Sequence, residues 1–227
     1  MNTHTLTTNC YKQIKKWILD AEFLPGEKLK GEYLKQRLQV GLTPIREALA
    51  RLASGNLVTF KDKIGFSVTL LEETSVYDTI RSYAKIESLL FRESIEKGDD
   101  EWESRIVAAL HKLSKVEDTQ DKISHDLWEP RNEEFHDALV SGCNYDYLLK
   151  TRNELVTLRK WYLRLFRRHI ADTQLIKVSH HEHNKLAKLA INRKTDLACS
   201  YLYNHLTTDM EPLAYQLIVH GIIKKAT

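Results

Sequence analysis

The chain has 227 residues, 42% hydrophobic and 29% charged, with a formal net charge of +3; this is the composition of a soluble globular protein with room for two domains. No apolar run approaches the ~18 residues of a membrane span, and residues 1–9 lack the apolar segment of a secretory signal, so a cytoplasmic protein without a membrane partner is expected. Cys10, Cys143 and Cys199, odd in number and widely spaced, argue against a disulfide framework or a paired-cysteine metal site.

The charge is unevenly placed. Residues 1–70 hold eleven Lys or Arg against six Asp or Glu, whereas the remainder holds 23 against 25. A basic head on a near-neutral body is the footprint of a nucleic-acid-binding domain joined to a second module. In chain order, Tyr11, Ile14, Trp17 and Ile18 recur at helical spacing and predict a first helix over 8–23. Leu24-Pro25-Gly26 breaks it. A short helix is predicted over 31–38, followed by a tight connection containing Gly41. Thr43 before Pro44 reads as an N-cap with proline at the first helical position, opening a third helix through Ile45, Leu49 and Leu52.

The period then changes. Residues 57–60 and 66–69 are rich in β-branched and aromatic side chains and are joined by 61–65, a hairpin signal. Three helices and a basic-tipped hairpin make a winged helix-turn-helix, assigned here to residues 1–70. Beyond Glu72 no strand is expected. Helical stretches over 73–97, 99–117, 124–142, 145–170, 175–192 and 194–219 imply that residues 71–227 form an all-α bundle of six to seven helices, so the fold is mainly α.

In such a head the third helix presents its N-terminal residues to the major groove. Thr43 and the first-turn amides suit a phosphate, and Arg46 suits a forked contact to guanine. Arg51 suits a phosphate or lies along the protein. Lys61 and Lys63 at the wing tip, with Gly65 allowing close backbone approach, suit the adjacent groove or backbone. Lys30, with Lys28 and Lys35, adds phosphate candidates. The runs Leu24-Pro25-Gly26-Glu27-Lys28-Leu29 and Thr43-Pro44-Ile45-Arg46-Glu47-Ala48-Leu49-Ala50-Arg51-Leu52, then Gly55-Asn56-Leu57-Val58 and the Gly65 wing, resemble the GntR superfamily of bacterial transcription regulators. Members usually carry Ser-Arg immediately before the Thr-Pro pair; here Gly41 and Leu42 stand there, so an arginine that often reads DNA is missing.

The second module offers Asn132 and His136, four apart and therefore on one helix face, with His183 and His205 on later helices. By spacing alone these are either polar core residues or ligands of a divalent metal such as zinc, nickel, iron or copper. The Asn-x-x-Phe-His, Glu-His and Asn-His-Leu elements in this order are similar to the FadR-type C-terminal (FCD) domain that follows many GntR heads. That resemblance implies a metal site at Asn132, His136, His183 and His205, with zinc or nickel favoured. Asn132 supplies a neutral oxygen where the common form has a carboxylate. Arg81 matches the Arg-x(5)-Glu element of the first FCD helix, which implies that it enters the cavity and clamps a carboxylate effector. Trp128-x-x-Arg131-x-x-x-Phe135-His136 and Gly98-Asp99-Asp100-Glu101-Trp102-Glu103 are similar to the carbon-starvation-induced regulator subgroup, implying a C5 dicarboxylate such as a hydroxyglutarate. The expected protein is a homodimer on a palindromic double-stranded operator, a repressor as members most often are, and not an enzyme. The alternatives are a ligand-independent regulator with structural histidines, or a metal-dependent hydrolase, against which stands the lack of HExxH or a nucleophile elbow.

Overall fold

Helix α1 (Thr3–Leu19) buries Ile14, Trp17 and Ile18 along one side. It begins earlier than the predicted 8–23, and it ends earlier because Ala21 adopts φ +57 and donates its N–H to the Ile18 carbonyl at 3.0 Å, which closes the helix. The chain is described here from a computed structural model over residues 3–117, 124–170 and 180–226. No helix among these is long and apolar enough to cross a membrane. Helix α2 (Gly31–Leu38) coincides with its prediction. Helix α3 (Leu42–Ser54) is capped by Gly41, not by Thr43 as expected. Thr43 and Pro44 both lie in its first turn, where backbone N–H groups have no intrahelical acceptor and proline therefore costs no hydrogen bond.

Strands β1 (Val58–Lys61) and β2 (Gly65–Val68) pair antiparallel, with Val58 opposite Val68 and Phe60 opposite Phe66. The Pro25-Gly26 loop lies along β2: the Leu29 N–H donates to the Phe66 carbonyl at 2.9 Å and that of Gly26 to Val68 at 3.0 Å. Gly26 has φ +81, a left-handed conformation that favours glycine. Thr7 Oγ1 donates to Glu47 Oε2 at 2.7 Å and ties α1 to α3.

The remaining helices are α4 (Glu73–Lys97), α5 (Asp100–Glu117), α6 (His125–Val140), α7 (Asp146–His169), α8 (His180–Ile191) and α9 (Thr195–Val219). The winged helix-turn-helix is thus followed by a helical domain. Helix α5 starts one residue later than predicted because Asp99 is its cap: its carboxylate accepts the Trp102 N–H at 2.9 Å, which holds that carboxyl below the usual range. The predicted stretch 175–179 before α8 lies outside the described residues.

By contacts the chain forms two units, residues 1–78 with 157–173 and 212–227, and residues 79–156 with 174–211, so α4, α7 and α9 contribute to both. In the first, Arg164 of α7 pairs with Asp20 at 2.9 Å, and His169 Nε2 lies 3.1 Å from the Ala21 carbonyl. After α9 the chain turns at Gly221 and buries Ile223. Lys224 then pairs with the segment leading into α4, its N–H donating to Leu71 at 2.8 Å and its carbonyl accepting from Glu73 at 2.9 Å. In the second unit α5 packs on α6 and α8. Trp102, fully buried, donates its indole N–H to the Ala138 and Leu139 carbonyls at 3.0 and 3.2 Å. Gly98 makes room for it, since a Cβ there would lie 2.3 Å from the indole. Arg193 accepts no such burial; its guanidinium donates to the Ile95 and Gly98 carbonyls at 2.6 and 2.9 Å and closes the end of α4.

Candidate functional site

The reading surface follows from which face α3 buries. Pro44, Ile45, Ala48, Leu49 and Leu52 point inward, leaving Thr43, Arg46 and Glu47 exposed. Thr43 and Arg46 are three apart and share that outer face. Glu47 is already held by Thr7. Arg51 lies with its guanidinium 4.6 Å from the Tyr11 ring centroid, along α1. Lys30 is exposed at the start of α2 and makes no side-chain capping bond. Lys61 and Lys63 are exposed on the hairpin turn, where Gly65 has φ +89 and open space at its Cβ position.

A second constellation lies in the helical domain. His136 on α6, His183 on α8 and His205 on α9 are all buried, and their ligand atoms lie within 4.8 Å of one another. Asn132, 4% exposed, is one turn before His136 on α6. Two of the rings are oriented by carboxylates at Nδ1: Glu117 lies 2.9 Å from His183 and Glu182 lies 2.7 Å from His205. A carboxylate at Nδ1 holds the proton there and leaves Nε2 with its lone pair, the tautomer a metal requires. Glu117 also accepts the Trp128 indole N–H at 3.0 Å.

Among the described residues, Asn132 Oδ1 and His183 Nε2 are buried with no hydrogen-bond partner. Buried polar atoms are seldom left so. Three imidazole nitrogens and one amide oxygen suit a divalent ion of borderline softness, so the residues present fit a metal. The third ring, His136, faces Glu87, whose Oε1 is 3.7 Å from its Nδ1. Glu87 is wholly buried and is bracketed by Arg152, which also donates to Asp137 at 2.6 Å. Burial disfavours the charge on Arg152, yet Glu87 more than offsets this and holds the guanidinium above its ordinary range.

Sequence reasoning did not single out Glu117, Glu182 or Arg152. Glu182 adjoins His183 and was open to notice; Glu117 and Arg152 sit in charged stretches that read as solvated. Arg81 stands on α4. Its side chain is 54% exposed and its Nε donates to Glu211 at 3.0 Å; the buried cation near the histidines is Arg152.

Residues 6–68 match the family of bacterial regulatory proteins, gntR family, and residues 78–208 match the FCD domain. The chain is 34% identical over 201 residues to the HTH-type transcriptional repressor GlaR of Escherichia coli, covering 87% of this chain and 91% of that one. It is 28% identical over 212 residues to the HTH-type transcriptional regulator BphR of Paraburkholderia xenovorans, covering 92% and 85%. The solved structure of Escherichia coli McbR/YncC shares the fold, with TM-score 0.69 at 19% identity over 93% of this chain and 98% of that one. Both relatives are named as regulators of transcription, which removes the hydrolase alternative. With its winged head and its FCD domain, the chain belongs to the gntR family of bacterial regulatory proteins and is a DNA-binding transcription regulator, not an enzyme.

Proposed function

We propose that this regulator is a homodimeric repressor whose operator affinity is set by a small organic acid bound at a divalent metal ion in the helical domain. Residues 1–70 read one half of a palindromic operator, Arg46 contacting base edges while Thr43, Lys30, Lys61, Lys63 and the Gly65 turn hold the backbone. Arg51, stacked on Tyr11, reaches a phosphate from that position or steadies α3. Residues 71–227 take the effector and form the dimer.

The observation that carries the effector reading is the cluster of three buried histidines, two of them set by carboxylates, beside the unsatisfied oxygen of Asn132. His136, His183, His205 and Asn132 would hold zinc or nickel, which when bound supplies a Lewis-acidic centre for a carboxylate. Arg81 serves as a clamp by exchanging Glu211 for the effector's carboxylate; an exposed pair is cheap to open. Effector binding shifts the helical domain between two arrangements and so alters how the two heads meet DNA. A coupling of about 1–3 kcal/mol would change operator affinity roughly 5- to 150-fold.

Metal analysis of the untagged full-length protein tests the site. Near-stoichiometric zinc or nickel is expected in the wild type and its loss in His183→Ala. Asn132→Asp, which supplies a charged oxygen, is expected to raise zinc affinity in a chelator competition. A metal-free wild type that zinc does not stabilise would leave the histidines as core residues of a ligand-independent regulator. For the head, Arg46→Ala should abolish sequence-specific binding with the fold intact; undiminished binding would refute the placement of α3.

A further inference from the structure

Buried rings can take an ion only if the ion can reach them. A doubly charged ion does not cross a packed apolar wall bare; its waters must be exchanged stepwise for protein atoms. A metal site therefore needs an entry path as well as ligands. The burial of the cluster is graded. His136 and His183 are shut off from solvent, whereas His205 is 8% exposed. Its ring stacks on that of His136 with centroids 5.6 Å apart and meets that of His183 edge-on at 5.1 Å.

Two carboxylates converge on His205. Asp209 lies one turn further along α9, and Glu182 lies in the first turn of α8. Their side chains are 23% and 33% exposed. Glu182 Oε2 is 2.7 Å from His205 Nδ1, and Asp209 Oδ2 is 3.5 Å from the same atom. The three residues bring one ligand atom each within 4.8 Å of one another. Orienting the ring takes a single acceptor, which Glu182 supplies; 3.5 Å is beyond an ordinary N–H···O bond. Asp209 is thus not needed to fix the ring. Two carboxylates so close oppose each other's charge, and Tyr201, one turn before His205, registers their field. Its phenol is pushed up by burial and then by the charges of Glu182 and Asp209. A part-exposed negative rim against a buried ring concentrates cations and offers oxygens in exchange for water.

We propose that Asp209 and Glu182 form the entry station of the metal site: an ion arriving from solution gives up part of its water to the two carboxylates before it passes His205 to the buried ligands. This rests on the reading that the histidines hold a divalent metal. Asp209 then governs how fast the site fills and empties, and has little part in how tightly it holds. Glu182 serves both ends, because it also orients His205. An entry station lowers the same barrier in both directions, so its loss slows uptake and release together.

The test is metal exchange by the untagged full-length protein, stripped of metal, with zinc and nickel in turn as probes and a chromophoric chelator as the readout. Asp209→Asn should take up metal about tenfold more slowly and bind it no more than about threefold more weakly, so that release to excess chelator also slows, by about threefold or more. Asp209→Glu should restore both rates. Glu182→Gln should slow uptake and weaken binding as well. Wild-type uptake should slow as salt rises, and that of Asp209→Asn less steeply. Wild-type uptake that salt does not change overturns the proposal without recourse to any variant.

If Asp209→Asn takes up and releases metal like the wild type, the histidine site stands and the entry station is refuted. If it releases metal faster with uptake unchanged, Asp209 holds the bound ion and the entry station is equally refuted. If the wild type binds neither zinc nor nickel, the metal reading itself fails and the entry station falls with it.

Discussion

The most consequential residue-level arrangement in the helical domain is a buried ion pair that adjoins the histidines through Glu87. Glu87 has no solvent exposure, and Arg152 is its cation. Removing one partner of such a pair leaves the other uncompensated and costs about 3–5 kcal/mol. Arg152→Met should therefore lower the denaturant midpoint sharply, and Glu87→Leu added to it should recover most of the loss. A single variant with wild-type stability would show that the pair is not the anchor of α4 on α7. The histidines themselves were legible because Asn132 and His136 fall on one turn and His183 and His205 recur in short polar elements. Arg152 was not, since its partner lies 65 residues away and a lone arginine in a charged helix resembles any solvated one. The partner of Arg81 was not legible either: a family pattern fixes which residue stands at a position, not where its side chain turns, and Glu211 is 130 residues further on.

At the scale of elements, α1 to α3 and the hairpin follow from local chemistry, and their order was readable throughout. The differences are at ends. Helix α3 starts one residue before Thr43 because proline is tolerated anywhere in a first turn, and α1 ends at Leu19 because Ala21 takes a left-handed conformation that no side-chain preference announces. The segment after α9 was harder still. Its pairing of Lys224 with Leu71 and Glu73 is made by backbone groups, which every residue possesses, the Glu73 carboxylate accepts the Ala226 N–H, and buried Ile223 gives it an apolar anchor. Ile223→Asp would place an unpaired carboxylate in that anchor. Hydrogen exchange at the Glu73 and Lys224 amides should then accelerate by at least tenfold, while the amides of α5 keep their protection. Unchanged exchange at both would show that the tail does not depend on Ile223.

Across the whole molecule the basic surplus sits in residues 1–70 and the remainder is close to neutral, so attraction to DNA is local to the head. If two heads act together, a duplex with two half-sites should bind at least a hundredfold more tightly than one with a single half-site. Its affinity should also fall more steeply with salt, because twice as many phosphates are neutralised. Equal affinities and equal salt slopes for the two duplexes would oppose a dimer on a palindrome. Titrations in a fluorescence-anisotropy assay at several salt concentrations measure both quantities at once.

The strand-like bond between Lys224 and residues 71–73 also has a bearing on biosynthesis. Ala226 and Glu73, which meet in the folded chain, are separated by 153 residues. A ribosome making about 5–20 residues per second delivers the second partner roughly 8 to 30 seconds after the first. During that interval the residues of α1, α2, α3 and the hairpin have all been made, but the stretch leading into α4 still lacks its backbone partner. The segment synthesised among the first is thus completed by residues made long afterwards, and a nascent chain released before residue 222 would carry a head whose exit strand was never closed.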